Sequence, residues 1–415
     1  MSHKFKPESL MMSHGYKPEL SEGAIKAPIF QTSTFVFKSA EEGKAFFEVA
    51  YGLREKEQDE ELGLIYSRIN NPNLEILENR LSLWDKADDT AVFESGMSAI
   101  STVLLEFLKP GDLILYSSPT YGGTDHFIQE FLPKIGVEYA VFHPENTQEE
   151  IEAIIEATGK KDRLGLIYIE TPANPTNTII DIDMCRRIAD KYKNGEDNTY
   201  LCVDNTYMGP VWSKPLEAGA DLVVYSATKF IGGHSDLIAG AVLSNAELMV
   251  RVKTLRTFLG NMVSPHTAWL MLRSLETLKI RMEQQCLNAQ KVAHFLKGHD
   301  KVRKVNYLGL IDEKSPEYDV YKRQYNSPGA MISFNIKGGE KEAFQFLNKL
   351  NLIKLAVSLG STESLAQHPQ TMTHCGIEPK ARERMGVTAD LVRVSIGVED
   401  ADDIIWDIEQ ALATV

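Results

Sequence analysis

The sequence predicts an α/β protein in which a mostly parallel sheet lies between helices, followed by a smaller C-terminal α+β domain. Short apolar runs alternate with polar or helical stretches through the middle of the chain, a rhythm typical of a parallel sheet wrapped by helices. Further along, strand-like segments mix with helices. The length of 415 residues also exceeds what one hydrophobic core usually supports, which favours a large domain and a smaller one.

Helical signals frame the predicted sheet. Asn71 can cap a helix whose first turn suits Pro72, and leucines recur on one face behind it. A second helix is predicted over residues 96–108 and a long one over 268–296. The predicted strands of the large sheet are 113–116, 164–169, 200–203, 222–225 and 239–243, and those of the C-terminal part are 330–334, 353–356 and 391–395.

These patterns divide the chain into three parts. Residues 1–65 form an N-terminal arm, residues 66–265 form the large domain, and residues 266–415 form a linking helix and the C-terminal α+β domain. The arm contains a densely charged segment, residues 54–62, which interrupts an otherwise regular pattern. We expect this segment to be an exposed insertion.

The composition excludes several classes of protein. Hydrophobic residues make up 43% and charged residues 25% of the chain, which predicts a globular fold. A net charge of −14 argues against a nucleic-acid partner. The polar N-terminus and the absence of any run of about 18 apolar residues predict no membrane span and a cytoplasmic location. The four cysteines lie far apart, so we expect reduced thiols and no metal site.

A lysine in the segment LVVYSATKFIGGHSD is the first candidate for chemistry. Lys229 lies four residues beyond an apolar strand, in a turn with the hydroxyls of Ser226 and Thr228. A lysine that forms a Schiff base needs such a strand end beside a pocket, and the hydroxyls could bind a phosphate on the same ligand. Judged alone, however, the segment is better interpreted as a solvated lysine.

A carboxylate ends the buried apolar run in the segment YLCVDNTY, which precedes the lysine segment in the chain. An unpaired buried aspartate is costly, and Asp204 could offset that cost by pairing with a protonated ring nitrogen, which would keep a ligand ring electron-poor. A turn cap is an equally good interpretation of this residue alone.

Two further segments could complete a ligand site. In FESGMSAI, Gly96 and Met97 open a helix whose free N–H groups and dipole could bind phosphate, although a plain helix cap is the commoner meaning of such a motif. In SPTYGGT, Tyr121 stands at a strand end, where its ring could stack on a planar ligand and its hydroxyl could move protons. Along the chain, a helix start that could bind phosphate is followed by an aromatic ring, a carboxylate and a lysine. This order is a more specific sign of a ligand site than any one of the four features alone.

The chain resembles the cystathionine γ-synthase/γ-lyase family of fold-type I pyridoxal-phosphate enzymes, also called the Cys/Met metabolism family, from about residue 27 to the C-terminus. The resemblance implies a large cofactor-binding domain with a seven-stranded type of sheet. It is strongest in YSRINNP (66–72), ESGMSA (94–99), ETPANPTN (170–177), VDNTY (203–207), SATKFIGGHSD (226–236), AVSLGSTESLAQHP (356–369) and LVRVSIGVED (391–400).

The resemblance implies roles for particular residues. Lys229 would hold pyridoxal 5′-phosphate covalently and move protons, Asp204 would pair with its pyridine nitrogen, and Tyr121 would stack on its ring. Arg393 would bind the substrate α-carboxylate in a pocket also lined by Ser358. The remaining implied cofactor contacts are Gly96, Met97, Ser226 and Thr228 at the phosphate and Asn174 near the 3′-oxygen.

The resemblance also implies an assembly. In this family the positions of Tyr66 and Arg68 reach into the neighbouring subunit's site. We therefore expect a homotetramer built from catalytic dimers, with subunit contacts made by the N-terminal arm, and a small amino acid as substrate.

The reaction type stays open within the family, which includes γ-elimination, γ-replacement and β-elimination. Val357 is apolar where members that cleave cystathionine often carry glutamate, which favours γ-elimination from methionine, homocysteine or cystathionine. Gly123 stands where methionine γ-lyases typically have cysteine and argues against that narrower assignment. The alternatives are γ-replacement, by a cystathionine γ-synthase or an O-acylhomoserine sulfhydrylase, and a non-catalytic phosphate-binding regulator, which the complete set of site residues disfavours.

Overall fold

Two sheets organise the chain. The structure, a computed structural model, describes residues 3–57, 60, 62–193 and 198–415. In this part of the chain, a mostly parallel sheet of seven strands is followed by a smaller sheet of five. The predicted α/β class, with a large sheet and a smaller α+β region after it, is confirmed.

The large sheet has the strand order β1-β7-β6-β5-β4-β2-β3. Strands β3, β2, β4, β5 and β6 run parallel, whereas β7 is antiparallel to β6 and β1. The strands are β1 (Asp89–Phe93), β2 (Leu113–Ser117), β3 (Glu138–Phe142), β4 (Leu164–Glu170), β5 (Tyr200–Asp204), β6 (Leu222–Tyr225) and β7 (Gly240–Ser244).

The strands predicted for this sheet correspond to β2, β4, β5, β6 and β7, with ends that differ by at most one residue. The two edge strands, β1 and β3, were not predicted. Strand β3 begins with the exposed residues Glu138 and Tyr139, so it lacks the continuous apolar run that marks a strand in the middle of a parallel sheet.

Helices cover both faces of this sheet. Along β1, Val92 faces one apolar core while Ala91 and Phe93 face the other, as the alternation of a strand requires. The helices are α1 (Pro7–Leu10), α2 (Ala40–Ala50), α3 (Pro72–Asp85), α4 (Gly96–Phe107), α5 (Gly122–His126), α6 (Gln148–Ala157), α7 (Ile182–Lys191), α8 (Gly209–Trp212), α9 (Ala246–Leu259), α10 (Pro265–Leu275), α11 (Leu278–Lys297), α12 (Pro316–Gln324), α13 (Glu340–Leu347), α14 (Pro379–Arg384) and α15 (Ala401–Leu412).

The helix starts agree with the predicted caps. The Asn71 side chain accepts a hydrogen bond from the backbone N–H of Asn73, with Pro72 as the first residue of α3. Helix α4 begins at Gly96, and its N-cap Ser95 accepts from the N–H of Ser98. Both helices therefore begin where the sequence places them.

The single long helix predicted over residues 268–296 is wrong, because two helices, α10 and α11, occupy this stretch. Arg281 of α11 donates a hydrogen bond of 3.1 Å to the carbonyl of Ser274 near the end of α10, and another of 3.0 Å to the carbonyl of Phe230. The guanidinium therefore adds to the backbone hydrogen bond of 3.2 Å that the Ser274 carbonyl accepts from the N–H of Thr277, and it ties the end of α10 to the loop that contains Phe230. Neither glycine nor proline marks this break in the sequence.

The smaller sheet has the order β10-β11-β12-β9-β8. Strands β9, β10 and β12 correspond to predicted ones, whereas β8 and the short β11 were missed. The strands are β8 (Val302–Asn306), β9 (Met331–Ile336), β10 (Lys354–Leu355), β11 (Leu365–Gln367) and β12 (Leu391–Ser395).

The charged segment predicted as an exposed insertion is described only in part. Residues 55–57 are exposed, and Arg54 forms an ion pair with Glu60 at 2.5 Å. Gln58, Asp59 and Glu61 lie outside the described residues. Among the helices that the structure describes, none is both long and apolar enough to cross a membrane.

The start of α4 is held against the ends of β6 and β7, where two glycines allow a close approach. A Cβ atom at Gly96 would lie 2.7 Å from Ser226 Cβ, and one at Gly240 would lie 2.7 Å from the carbonyl carbon of Ser95. Both distances are shorter than real Cβ contacts, so a larger residue would force the helix away from the sheet.

We predict that Gly240→Ala lowers the free energy of unfolding by about 1–3 kcal/mol, the usual cost of overpacking. Denaturant unfolding measures this change. Gly63→Ala is the matched control, because a Cβ at Gly63 meets nothing within 4 Å, and its effect should stay within about 0.5 kcal/mol. Equal stability of the two variants would contradict the close packing of α4.

Candidate active site

A cavity of about 320 Å³ opens at the carboxyl edge of the large sheet, where ligands of open α/β sheets bind. Each neighbouring parallel strand sends the loop that follows it to this edge, and the start of α4 closes one side. The lining residues are Ser95, Gly96, Met97, Ile100, Tyr121, Glu170, Asn174, Asp204, Thr206, Tyr207, Ser226, Thr228, Lys229, Ile238 and Leu359.

Most of the predicted site residues meet here. Ser358 and Arg393 contact this group without lining the cavity, and the exposed Val357 precedes Ser358. Tyr66 and Arg68 do not line the cavity of their own chain. The predicted residues that do line it are Gly96, Met97, Tyr121, Asn174, Asp204, Ser226, Thr228 and Lys229.

The Lys229 amine points toward the C-terminal region. Its Nζ atom donates a hydrogen bond of 3.0 Å to Ser358 Oγ. Burial, together with the positive charge of Arg393, lowers the pKa of Lys229 from 10.5 to about 8. An appreciable fraction of this amine is therefore neutral near physiological pH, as a nucleophile or a base requires.

Asp204 ends β5 and is buried. Its Oδ2 accepts a hydrogen bond of 3.0 Å from the Tyr168 hydroxyl, and its Oδ1 accepts one of 3.0 Å from the backbone N–H of Thr206. Burial raises the pKa of Asp204. No ion pair to this carboxylate forms among the described residues, so the site can take a cationic ligand group.

The start of α4 offers donors for an anion. The first N–H groups of a helix have no intrahelical partner, and the helix dipole is positive there. The close approach of Gly96 to Ser226 brings the loop after β6 beside this helix start. In the same loop, the Thr228 hydroxyl donates to the Ala239 carbonyl at 3.2 Å, which holds the turn.

Tyr121 stands at the mouth of the cavity with half of its side chain exposed. A Cβ atom at Gly123 would lie 2.7 Å from Tyr121 Cε1 and 3.0 Å from Met97 Sδ. The Tyr121 ring therefore lies over Gly123 and beside Met97, in space that any side chain at position 123 would occupy.

Arg393 on β12 carries a buried guanidinium. Its Nη1 donates a hydrogen bond of 2.9 Å to Asn174 Oδ1, and its Nη2 donates to the carbonyl of Ser358. Its Nε atom is buried and has no partner in the described part of the chain. Burial lowers the pKa of Arg393 to about 10, which leaves the guanidinium charged at neutral pH.

Tyr66 and Arg68 lie on the surface of the chain. The Arg68 guanidinium stands 5.6 Å from the centre of the Tyr66 ring and donates a hydrogen bond of 2.8 Å to the Thr257 carbonyl.

Several residues of the cavity had no role predicted from the sequence. Glu170, which ends β4, is buried, and burial together with the Asp204 charge raises its pKa. The hydroxyl of Tyr207 is buried without a partner among the described residues. Each follows or ends a strand of the parallel sheet, and that position was the signal that could have identified them. The others without a role are Ile100, Thr206, Ile238 and Leu359.

The chain is similar to known proteins over most of its length. An L-methionine gamma-lyase from Pseudomonas putida is 39% identical over 96% of the chain and 95% of its own length. A cystathionine gamma-lyase from Saccharomyces cerevisiae is 41% identical over 84% of the chain and 86% of its own length. A solved structure titled "Crystal structure of metB from Corynebacterium glutamicum" has a TM-score of 0.85 and 35% identity, and the match covers 99% of this chain and 98% of that one.

The family described as "Cys/Met metabolism PLP-dependent enzyme" matches residues 8–413. This match covers nearly the whole chain, and it includes every strand of both sheets and every residue that lines the cavity. The chain therefore belongs to the Cys/Met metabolism family of pyridoxal-phosphate-dependent enzymes.

Proposed function

We propose that the chain catalyses γ-elimination from methionine, homocysteine or cystathionine, which with water gives 2-oxobutyrate, ammonia and a thiol. The observation that carries this proposal is the meeting of a partly neutral Lys229 amine and the buried Asp204 carboxylate in one cavity. The names of the relatives, L-methionine gamma-lyase and cystathionine gamma-lyase, favour elimination over γ-replacement.

The cavity fits the cofactor of the family at three points. Lys229 supplies an amine for the aldehyde of pyridoxal 5′-phosphate, and Asp204 supplies a carboxylate for its pyridine nitrogen. The start of α4 supplies N–H donors for its phosphate, with the hydroxyls of Ser226 and Thr228 beside them. Tyr121 is placed to stack on the ring, and Asn174 to approach the 3′-oxygen.

When bound, pyridoxal 5′-phosphate withdraws electrons from the substrate and stabilises negative charge at its α-carbon. The neutral form of the Lys229 amine can take the α-proton and return a proton elsewhere, and the hydrogen bond from its Nζ to Ser358 Oγ restricts where the amine points. The Tyr121 hydroxyl can donate a proton to the departing sulfur. The Asp204 carboxylate would keep the ring nitrogen protonated.

Substrate recognition is assigned to the C-terminal residues beside the cavity. The Arg393 guanidinium can bind the α-carboxylate in two-pronged fashion, near the Ser358 hydroxyl. Val357, about half of whose surface is exposed, offers an apolar wall to a methylthio or thiol group. It provides no charge for the distal ammonium of cystathionine.

We also propose a homotetramer of catalytic dimers in the cytoplasm. The surface positions of Tyr66 and Arg68 suit residues that complete a partner's cavity. The division into an arm of residues 1–65, a large domain of 66–265 and a C-terminal part of 266–415 follows the two sheets, since the smaller sheet lies entirely in the last part.

We predict that covalent capture of pyridoxal 5′-phosphate at Lys229 becomes faster as pH rises, with a midpoint near 8. The lowered pKa means that the reactive neutral amine predominates above that pH, whereas a free lysine reaches this state only at about pH 10.4. Reductive trapping followed by peptide mass spectrometry measures the rate at each pH.

The control for this experiment is Nα-acetyl-lysine, whose ε-amine is free and is trapped with the same cofactor solution. Replacing Arg393 by methionine should raise the midpoint, because the positive charge of Arg393 helps to lower the pKa of Lys229. A midpoint equal to that of Nα-acetyl-lysine would contradict the burial of the Lys229 amine. Label on another lysine would contradict the assignment of Lys229.

We predict that the enzyme releases 2-oxobutyrate from methionine and homocysteine at least as fast as from cystathionine. The assay measures the keto acid from each substrate without an added thiol, so that no acceptor can divert the reaction. Keto acid from O-acylhomoserine alone, diverted into a thioether by cysteine, would contradict the proposal and establish γ-replacement.

A variant with Val357→Glu tests the role of this residue in specificity. The new carboxylate should raise kcat/KM for cystathionine relative to methionine by about tenfold, because it can pair with the distal ammonium. Val357→Gln is the matched control, which has a similar size but no charge. Identical substrate preferences in both variants would show that position 357 does not select the substrate by charge.

We predict that mixing inactive Lys229→Ala and Arg68→Ala subunits restores activity if dimers share their sites. Half of randomly re-formed dimers are mixed and each has one intact site, so up to about a quarter of wild-type activity should return. Native mass spectrometry of tagged subunits verifies that mixed dimers form. Mixed dimers without activity would indicate a self-contained subunit.

A further inference from the structure

Glu170 joins two loops at the cavity. Its Oε2 accepts a hydrogen bond of 2.6 Å from the backbone N–H of Tyr121 and one of 3.3 Å from the Thr120 hydroxyl. Its Oε1 accepts one of 3.1 Å from the backbone N–H of Asn174. One carboxyl group therefore connects the loop after β2 with the loop after β4.

Both loops carry residues of the proposed cofactor site. The Tyr121 ring and the Asn174 amide each depend on the position of their own backbone, and Glu170 binds that backbone directly. Asn174 Oδ1 in turn accepts from Arg393, so its placement also affects the guanidinium proposed to bind the substrate. A side chain that fixes both N–H groups thus sets the geometry of ring, amide and guanidinium together.

A carboxyl group at this place is unfavourable unless its hydrogen bonds are needed. Glu170 is 5% exposed and lies beside Asp204. Burial and the Asp204 charge raise the pKa of Glu170, because this environment is unfavourable for a carboxylate. Without an acceptor there, however, two N–H groups that now point at Glu170 would lose their partner.

We propose that Glu170 is a positioning residue that holds Tyr121 and Asn174 in place for the cofactor and the substrate carboxylate. This inference rests on the proposed function of the same cavity. It assigns Glu170 an effect on cofactor affinity that acts through those residues, beyond any contribution to stability.

The substitution Glu170→Gln tests this role with little change in size. The amide oxygen can accept from one of the N–H groups, but the amide nitrogen is a donor and would face the other N–H group. At least one loop should therefore lose its hydrogen bond while the cavity stays filled. We expect the dissociation constant for pyridoxal 5′-phosphate to rise about tenfold, and kcat to fall.

A mutant cycle distinguishes positioning from other effects. In a chain that carries Tyr121→Ala and Asn174→Ala, the side chains that Glu170 positions are absent, so adding Glu170→Gln should change the cofactor dissociation constant by less than about twofold. Equilibrium dialysis measures the constant in all four proteins. The full tenfold effect in the substituted background, or no effect in the wild type, would overturn the proposal.

Hydrogen exchange provides a second readout that needs no cofactor. Peptides containing Tyr121 and Asn174 should exchange their amides faster in Glu170→Gln than in wild type. The matched control is Asp407→Asn, since Asp407 is also buried and accepts from backbone N–H groups, those of Asn351, Leu352 and Ile353. This variant should lower stability without changing cofactor affinity or exchange at the cavity.

The two readouts separate the two hypotheses. A wild type that fails to bind pyridoxal 5′-phosphate would contradict the proposed function, while faster exchange in Glu170→Gln would still support the positioning role. Unchanged exchange at Tyr121 and Asn174 would overturn that role, even if the enzyme is a γ-lyase.

Discussion

Two buried carboxyl groups lie side by side where β4 and β5 end, because Glu170 and Asp204 are Cα partners in the parallel register. Residues paired in this way send their side chains to the same face of the sheet. Burial disfavours charge on both groups, and the charge of Asp204 adds to the effect at Glu170. This edge of the sheet consequently needs hydrogen-bond donors and positive charge, and the surrounding loops are arranged to supply them.

Asp204 accepts hydrogen bonds from two donors. One is the hydroxyl of Tyr168, on the same strand as Glu170, and the other is the backbone N–H of Thr206, in the turn that follows Asp204. The cations, Lys229 and Arg393, stand nearby without forming an ion pair to either carboxylate in the described part of the chain. The carboxylate of Asp204 thus keeps its capacity to pair with a ligand, and the Lys229 amine keeps a low pKa.

The sequence predicted the parts of the fold and site that depend on local signals. Lys229 and Asp204 follow apolar runs, and the carboxyl ends of parallel strands must meet at one edge, so their proximity could be inferred from the order of residues alone. Glu170 follows the same rule, but its function depends on the backbone N–H groups of Tyr121 and Asn174. No sequence pattern reveals which way such groups point.

Other features could not be predicted because they depend on distant contacts. The break between α10 and α11 is stabilised by Arg281, whose partners include the carbonyl of Phe230, and a helix end of this kind leaves no glycine or proline in the sequence. The edge strand β3 has too few apolar residues to be recognised alone. The surroundings of Tyr66 in an assembly depend on a second chain, so neither the sequence nor one subunit's geometry determines them.

The hydrogen bonds of Arg393 have a consequence for how the enzyme would respond to its substrate. The guanidinium has five N–H groups, and two of them already bind Asn174 and the Ser358 carbonyl, while Nε has no partner in the described part of the chain. An arriving carboxylate can therefore bind the remaining N–H groups without displacing these partners. Under the proposed role, the guanidinium would already be held in place before the substrate arrives, so less side-chain freedom would be lost on binding.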